Sequence, residues 1–358
     1  MARVVVAAPS WLGDAVMALG SIGDLRRAFP DGTLIVAARR SLAPLFRCVG
    51  GVDEVVEWRG SGGLSALSDW REDAATLEAA RADIAVLLPN SFASAFVARR
   101  AAVPERWGYG TDLRARLLTR SVARPRGSRH QSDYYRHLVA ALGIEAGGAP
   151  LPLHAGDEAR AGAAQLLEGE GCRADAVLVG VAPGAANGRA KQWPPDRYAE
   201  LVRRLNTDLS VIAVLVGSEG DRPAAAEVEG LLARARIDRV DPGSGRVRWV
   251  NLIGRTDLQL AIAVAAMCRA FVSNDSGAMH LAAAVGVPVT ALFGPTIERE
   301  TAPLPLGTHT VLTEAVWCRP CMLRECPIDH RCMTGISVER VHDAVRGHLG
   351  HGLAVGSG

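Results

Sequence analysis

The four residues Asn274-Asp275-Ser276-Gly277 stand where an apolar run ends and a helical pattern begins. The first N–H groups of a helix have no partner within the helix, and together with the Ser276 hydroxyl and the small Gly277 they suit a diphosphate. Asp275 repels phosphate unless its carboxylate faces backbone donors or ribose hydroxyls. His280, in the same helix, is either a phosphate donor or an ordinary core histidine. A capped turn contains Asp and Ser for folding reasons alone, so the pattern leaves both interpretations open.

A second loop with phosphate-binding character runs from Pro183 to Pro194. It contains Gly184, whose missing side chain permits close approach of a ligand, and the cations Arg189 and Lys191. Exposed N–H groups, positive charge and a following helix N-terminus favour a phosphate site. The sequence G-x-x-x-x-G-K-[ST] is absent, which argues against a P-loop, and a merely flexible loop is the alternative.

A carboxylate follows the first predicted strand in residues 9–14, P-S-W-L-G-D. Asp14 is either the N-cap of the next helix or a general base at the edge of a cleft. Gly13 allows a ligand to approach the backbone, and Trp11 is able to shield the site or stack on a sugar. The composition of the turn does not decide between these roles.

Four of the seven cysteines form the pattern C-x2-C-x4-C-x5-C at Cys318, Cys321, Cys326 and Cys332. In a reducing cytosol such clustering favours a structural zinc or iron–sulfur site over disulfides. The spacing matches neither a standard zinc ribbon nor a common ferredoxin run, so reduced free thiols stay open as the alternative.

The charge and the hydropathy of the chain exclude several classes of protein. The formal net charge is +2, so no overall field attracts nucleic acid or an anionic membrane. Arginines cluster only between Arg99 and Arg136, which indicates either a local surface for an anionic ligand or a solvated face. No apolar run reaches the ~20 residues of a membrane span, and the N-terminus lacks a signal-peptide pattern. We therefore expect a cytoplasmic protein, with peripheral membrane contact still open.

Short β-branched runs alternate with helical patterns along the whole chain, which predicts stacked βαβ units and parallel sheets. The Gly- and Pro-rich residues 147–152 interrupt the rhythm, so we predict two α/β domains with a cleft between them that holds the ligands. No G-x-G-x-x-G follows the first predicted strand, which argues against a nicotinamide dehydrogenase. The G-x-S-x-G nucleophile elbow of α/β-hydrolases is also absent. D-x-D is also absent, so Lys191, helix N-termini and hydroxyls would have to neutralise a leaving diphosphate.

Taken in order, these segments resemble the ADP-heptose:lipopolysaccharide heptosyltransferases of glycosyltransferase family 9, and among them the heptosyltransferase II group. The resemblance covers nearly the whole chain. It rests on residues 9–14, R-W-G-Y at 106–109, His130 with Tyr134-Tyr135, P-G-A at 183–185 through K-Q-W-P at 191–194, G-S-E at 217–219, N-L-I-G at 251–254 and S-N-D-S-G at 273–277 through His280.

The resemblance implies the GT-B fold, in which two Rossmann-like domains face each other across a cleft. Residues 1–155 would form the acceptor-binding domain and residues 156–336 the ADP-sugar-binding domain. Residues 337–350 would form a C-terminal helix that returns to the first domain, followed by a disordered tail at 351–358.

The resemblance also implies roles for individual residues in an inverting reaction that needs no divalent metal. Asp14 would be the general base and Lys191 would contact the donor phosphates and sugar. The remaining donor-site residues implied are Gly13, Gly184, Glu219 at the ribose, Thr256 with Leu258 near the adenine, and Asp275, Ser276, Gly277 and His280. The acceptor, a phosphorylated core oligosaccharide on lipid A, would contact Trp11, Arg120 and Arg129.

The expected function is therefore heptosyl transfer from ADP-L-glycero-β-D-manno-heptose to the inner core of lipopolysaccharide, at the inner face of the cytoplasmic membrane and without nucleic acid. One alternative is the same chemistry on another acceptor, such as a secondary metabolite. Others are a GT-B nucleotide-sugar epimerase and a metal-sensing or redox protein built around the cysteines.

Overall fold

The computed structural model describes residues 1–60, 66–186 and 188–354, apart from the side chains of residues 66, 67 and 351–354. Its contacts divide the chain into two compact units, Met1–His154 and Ala155–Gly358. The boundary predicted after residue 155 lies next to this division.

The described part of the first unit contains a six-stranded, all-parallel sheet in the order β3-β2-β1-β4-β5-β6. Its strands are β1 Arg3–Ala7, β2 Thr33–Arg39, β3 Glu54–Trp58, β4 Ile84–Leu87, β5 Glu105–Tyr109 and β6 Arg120–Val122. Strands β1, β2 and β4 are apolar runs because helices cover both faces of a parallel sheet. The strand order reverses between β1 and β4, which is where ligands bind in Rossmann-like sheets.

The described residues of the first unit contain six α-helices, five of them between these strands and one after β6. They are α1 Leu12–Met17, α2 Leu19–Ala28, α3 Ala43–Arg47, α4 Ala66–Ala79, α5 Phe92–Arg100 and α6 Gln131–Ala141. The helical sequence pattern of residues 15–28 predicts one helix, but these residues form two helices joined at Ala18. The pattern of residues 64–80 also predicts a helix, which the structure describes from Ala66 to Ala79, and residues 64 and 65 lie outside the described part.

The second unit repeats the arrangement, with a six-stranded parallel sheet in the order β12-β11-β10-β7-β8-β9 among its described residues. Its strands are β7 Leu178–Ala182, β8 Ile212–Leu215, β9 Trp249–Asn251, β10 Ala270–Asn274, β11 Val289–Phe293 and β12 His309–Thr313. Every residue of β7, β10 and β11 is buried. The order reverses between β7 and β10, so the loops after these strands flank a second switch point.

The helices of the second unit follow the same pattern. They are α7 Asp157–Gly169, α8 Pro195–Leu209, α9 Arg222–Arg234, α10 Leu258–Met267, α11 Gly277–Ala284, α12 Glu298–Thr301, α13 Arg331–Thr334 and α14 Val338–Ala354. The prediction of α/β units with parallel sheets is confirmed in both halves of the chain.

The C-terminal helix is longer than predicted. Helix α14 packs against α8, β10, β11 and β12 and is part of the second unit, and the return of residues 337–350 to the first domain stays a prediction. It also runs through Ala354, so residues 351–354 of the predicted disordered tail are helical. Val341 and Val345 of α14 are fully buried in the core of this unit. Residues 355–358 lie outside the described part.

Candidate active site

The loops at the carboxyl edge of the second sheet contact one another, and one buried side chain joins two of them. Asn274, at the end of β10, is fully buried. Its Nδ2 donates to the carbonyls of Pro183 and Gly184 at 3.0 and 3.2 Å, and its Oδ1 accepts from the Trp193 N–H and the Tyr198 hydroxyl, both at 3.0 Å. Asn274 therefore fixes the start and the end of the 183–193 loop beside β10.

An ion pair forms where these loops meet. Lys191 Nζ lies 2.7 Å from Asp275 Oδ2, and the two side chains are only 19% and 7% exposed. The Thr296 hydroxyl donates to the same oxygen at 2.8 Å, and the Thr301 hydroxyl lies 3.4 Å from Oδ1. The carboxylate is thus satisfied by a cation and two hydroxyls, so its negative charge is compensated within the protein.

Lys191 is also distinctive in the sequence, because it is the only lysine in a chain with 40 Lys and Arg residues. An ammonium is a compact point charge, whereas a guanidinium is a planar fork that demands a wider site. The position of the single lysine at the buried ion pair is a second sequence signal for this site.

Helix α11 begins directly after Asp275 and presents its N-terminus at the same edge. Its cap residue Ser276 has an extended backbone and makes no side-chain hydrogen bond to the helix. The Ser276 hydroxyl instead lies 3.1 Å from Ser273 Oγ. Gly277 is the first helical residue, and His280, within the helix, is 3% exposed. The N–H groups of the first turn are therefore available to an anion without competition from a side-chain cap.

The loops after β8 and β9 extend the edge away from the ion pair. A Cβ at Gly184 would collide with the Asp221 carboxylate, so this glycine is required for close packing of the 183–193 loop on the loop after β8. Glu219 is exposed, and its carboxylate pairs with Arg222 and lies against Gly254. Thr256 is half-buried in the same loop as Gly254. The predicted ribose- and adenine-binding residues are thus on neighbouring loops.

In the first unit Asp14 lies inside helix α1 and is not its N-cap. The cap position is Trp11, which makes no side-chain cap hydrogen bond, and Asp14 occupies the first turn. The structural role predicted for Asp14, that of an N-cap, is therefore wrong. Burial raises the pKa of Tyr135, and the nearby Asp14 carboxylate raises it further. Trp11 is 58% exposed and Gly13 half-buried.

The arginine-rich stretch divides into structural and exposed side chains. Arg114 is fully buried and donates to the Tyr109 carbonyl at 2.8 Å, and desolvation lowers its pKa to about 10. Arg120 lies over the Trp107 ring at 4.8 Å and donates to the Leu142 carbonyl at 2.7 Å. Arg114 is thus excluded from an anion-binding surface, and Arg120 is held in place by the fold.

Arg129 is half-buried just before α6, and its Nη2 lies 3.4 Å from the Arg126 carbonyl. Its charge lowers the pKa of His137, second in effect to burial. His137 Nδ1 lies 2.9 Å from the Tyr109 hydroxyl.

The four clustered cysteines lie near one another but are not arranged as a ligand set. Burial raises the pKa of Cys332, and the thiols of Cys318, Cys321 and Cys326 raise it further. Cys326 Sγ accepts the His330 N–H at 3.3 Å. Within the described residues, no three His, Cys, Asp or Glu side chains have the arrangement of a metal site. The metal site therefore stays a prediction.

Comparison with known proteins identifies the family. Residues 70–331 match the family described as Glycosyltransferase family 9 (heptosyltransferase). The chain belongs to glycosyltransferase family 9. It is 32% identical over 314 residues to Lipopolysaccharide heptosyltransferase 2 of Escherichia coli K12, over 84% of this chain and 85% of that protein. The family confirms that the protein is a glycosyltransferase.

Solved structures agree with this assignment. The structure of E. coli ADP-heptose lps heptosyltransferase II superposes with a TM-score of 0.79 at 27% identity, and covers 97% of this chain and 98% of that one. The family 9 glycosyl transferase from Veillonella parvula superposes with a TM-score of 0.82 at 22% identity over 97% of each chain, which shows the shared fold. None of the described helices of this family 9 enzyme is long and apolar enough to cross a membrane.

Two residues at the site of this glycosyltransferase were absent from the sequence-based candidates. Thr296 and Thr301 bind Asp275, and they follow β11, the neighbour of β10 in the sheet. The carboxyl ends of adjacent parallel strands lie at one edge of the sheet, so polar residues after the apolar run of β11 could have been predicted to lie beside Asp275.

Proposed function

We propose that this family 9 glycosyltransferase transfers a heptosyl group from ADP-L-glycero-β-D-manno-heptose to the inner core of lipopolysaccharide. The observation that carries the proposal is the Lys191–Asp275 pair beside the N-terminus of α11. A cation and a set of helix N–H groups at a Rossmann-type switch point suit a diphosphate. The similar E. coli protein is an ADP-heptose lps heptosyltransferase II, which supports these donor and acceptor classes.

In this proposal the donor is held by the loops of the second unit. Lys191 and the N–H groups of Ser276 and Gly277 bind the diphosphate, and His280 supports it from inside α11. Glu219 accepts from the ribose hydroxyls, while Thr256 and Leu258 contact the adenine. Gly184 keeps the 183–193 loop close enough for Lys191 to reach the phosphates. No metal is needed, because these groups supply the charge that stabilises departing ADP.

The acceptor chemistry is assigned to the first unit. Asp14 takes the proton of an acceptor hydroxyl as its oxygen bonds to the anomeric carbon, while the bond from that carbon to the β-phosphate oxygen of ADP breaks. Attack from the face opposite to the leaving ADP inverts the anomeric centre. Gly13 permits close approach of the substrate, and Trp11, with 58% of its surface exposed, stacks on a sugar. Arg120 and Arg129 bind acceptor phosphates.

The acceptor is carried on lipid A, so we place the enzyme in the cytoplasm with peripheral contact to the inner face of the membrane. Nucleic acid is no partner in this proposal, because the net charge is only +2.

The fate of the donor tests the reaction class. We would incubate the purified protein with ADP-heptose alone and with a heptose-bearing lipid A-core acceptor, and follow both nucleotide species by chromatography. The proposal predicts intact ADP-heptose without acceptor and release of ADP when the acceptor is added. Conversion of ADP-heptose to another ADP-sugar in the absence of acceptor would establish an epimerase. Release of ADP only with a different acceptor, such as a secondary metabolite, would keep the transferase and replace the lipopolysaccharide substrate.

A further inference from the structure

Arg319 lies among the clustered cysteines, yet its side chain binds the turn after β11. Its Nε donates to the Gly294 carbonyl at 2.9 Å, its Nη2 donates to the Thr296 carbonyl at 3.2 Å, and the same nitrogen pairs with Glu298 Oε2 at 2.7 Å. The Arg319 side chain is only 12% exposed. One buried guanidinium thus holds the backbone of residues 294–298 at two carbonyls.

That turn carries a direct partner of Asp275. The Thr296 side chain is buried, and its hydroxyl donates to Asp275 Oδ2, the oxygen that also binds Lys191. Arg319 is therefore connected to Lys191 through Thr296 and Asp275.

The same segment also supports the loop that carries Lys191. The Arg324 carbonyl accepts the Ala190 N–H at 3.0 Å, and a Cβ at Gly188 would collide with that carbonyl. The Met322 N–H donates to the Pro295 carbonyl at 3.0 Å. Residues 319–324 thus contact both loops that bring polar groups to Asp275.

Lys191 and the Thr296 hydroxyl both bind Asp275 Oδ2, and this arrangement affects ligand binding. Lys191 has to exchange Asp275 for a phosphate when a nucleotide diphosphate binds. The Thr296 hydroxyl takes part of the charge of Oδ2, which weakens the hold of Asp275 on Lys191 and keeps the buried carboxylate hydrogen-bonded after Lys191 has moved. Displacement of Thr296 would leave Lys191 as the principal donor to this oxygen.

We propose that Arg319 is a positioning residue of the donor site, which holds Thr296 against Asp275 and so makes Lys191 available to the diphosphate. The inference rests on the proposed function for the identity of the diphosphate. It assigns a role in substrate binding to a residue of the cysteine-rich segment.

Because Lys191 is the only lysine, its environment is observable by itself. Protein grown with [15N]lysine has a single labelled backbone amide, which would be followed by two-dimensional NMR in the absence of ligand. Arg319→Gln is expected to move this peak, and Arg324→Gln is the matched control, because it removes a charge from the same segment but keeps the backbone carbonyl. An unmoved peak in Arg319→Gln would overturn the proposal.

The affinity for ADP supplies the second measurement. Calorimetry should show that Arg319→Gln binds ADP roughly tenfold more weakly than the wild type, which is the effect expected from the loss of a charge-assisted hydrogen-bond network. The affinity of Arg324→Gln for ADP should be unchanged. Thr296→Val should weaken binding similarly, and the double variant should be no worse than Thr296→Val alone, because both act through the same hydroxyl. Additive losses, or wild-type affinity in folded Arg319→Gln, contradict the inference.

Two controls distinguish a variant that does not fold from a wrong proposal. Arg319→Lys keeps the positive charge but cannot donate to the carbonyls of both Gly294 and Thr296. It replaces Arg319→Gln in both measurements if Arg319→Gln does not fold. Wild-type protein that fails to bind ADP would refute the proposed donor, while the [15N]lysine measurement would still decide the role of Arg319.

Discussion

Lys191 and Asp275 form an ion pair at 2.7 Å between two loops of the second unit, with the Thr296 hydroxyl on the same carboxylate oxygen. Both charged side chains are largely buried, so each depends on the other for compensation. The cation that would bind a diphosphate is thus neutralised in the ligand-free protein. Binding of an anion at this site requires the pair to open.

The first prediction concerns the competition between Asp275 and the ligand for Lys191. Asp275→Asn removes the internal anion but keeps the shape of the side chain. Lys191 then gains a partner only when ADP binds, so we expect ADP to bind more tightly, by roughly fivefold or about 1 kcal/mol. Isothermal titration calorimetry would measure the affinity for ADP. Lys191→Met removes the cation itself and is expected to weaken ADP binding. Weaker binding by Asp275→Asn would mean that Asp275 itself contacts the ligand favourably.

The second prediction separates chemistry from donor binding. Asp14→Asn removes the proposed base and preserves the volume of the side chain in the first turn of α1. We expect kcat to fall by roughly 10²–10⁴, the usual contribution of a general base, with the affinity for ADP within twofold or so of wild type. Steady-state kinetics with acceptor and donor would test it. Wild-type turnover in the variant would remove Asp14 from the mechanism.

The third prediction addresses the thiols. Cys318, Cys321, Cys326 and Cys332 are predicted to bind a structural metal. Elemental analysis of protein purified under reducing conditions should then give about one zinc or iron per chain. Cys321→Ser should lose the metal, and Cys172→Ser, at a buried cysteine outside the cluster, should retain it. Metal content near zero in the wild type would establish the free-thiol alternative.

The fourth prediction concerns acid stability at the contact between α8 and α14. Hydrogen bonds from Arg203 and Arg204 hold the pKa of Glu200 at about 2, and Arg204 also pairs with Glu339 of α14 at 2.7 Å. The folded pKa lies below the ordinary value of 4.5, so the stabilisation is present above pH 4.5 and is lost as pH falls towards 2.

Glu200→Gln should therefore destabilise the protein by about 1 kcal/mol at pH 7, a value reduced by solvent screening, and by less at pH 3.5. Calorimetric melting at the two pH values would measure the difference. Asp175→Asn, in a fully exposed pair with Arg173, is the control and should change little. A difference that grows on acidification would contradict the assigned cause.

Apolar runs in the sequence predict eight of the twelve described strands, including the edge strand β3, and miss the inner strand β5 and the edge strands β6, β9 and β12. Strands such as β1 and β10 are buried on both faces and are apolar runs, whereas β5 begins with two charged residues and β6 and β12 are exposed or only partly buried. The edge strand β9, with three residues, is also too short to give a periodic signal.

The candidate site was predictable where a loop carries a recognisable run of residues, and less so where it depends on packing. Asp275, Ser276 and Lys191 could be selected from loop composition. Arg319 could not, because its role arises from two backbone carbonyls that only the fold brings to it. The position of α14 likewise depends on packing, which local sequence does not specify.

The most direct test of the central claim is the mass of the acceptor product. A lipid A-core acceptor would be incubated with ADP-heptose and the wild-type protein, and analysed by mass spectrometry beside a reaction with Asp14→Asn. Transfer predicts that the wild-type product gains the mass of one heptosyl residue and that the variant reaction lacks this species. An acceptor of unchanged mass, with folded wild-type protein and intact ADP-heptose present, would contradict heptosyl transfer to the lipopolysaccharide core.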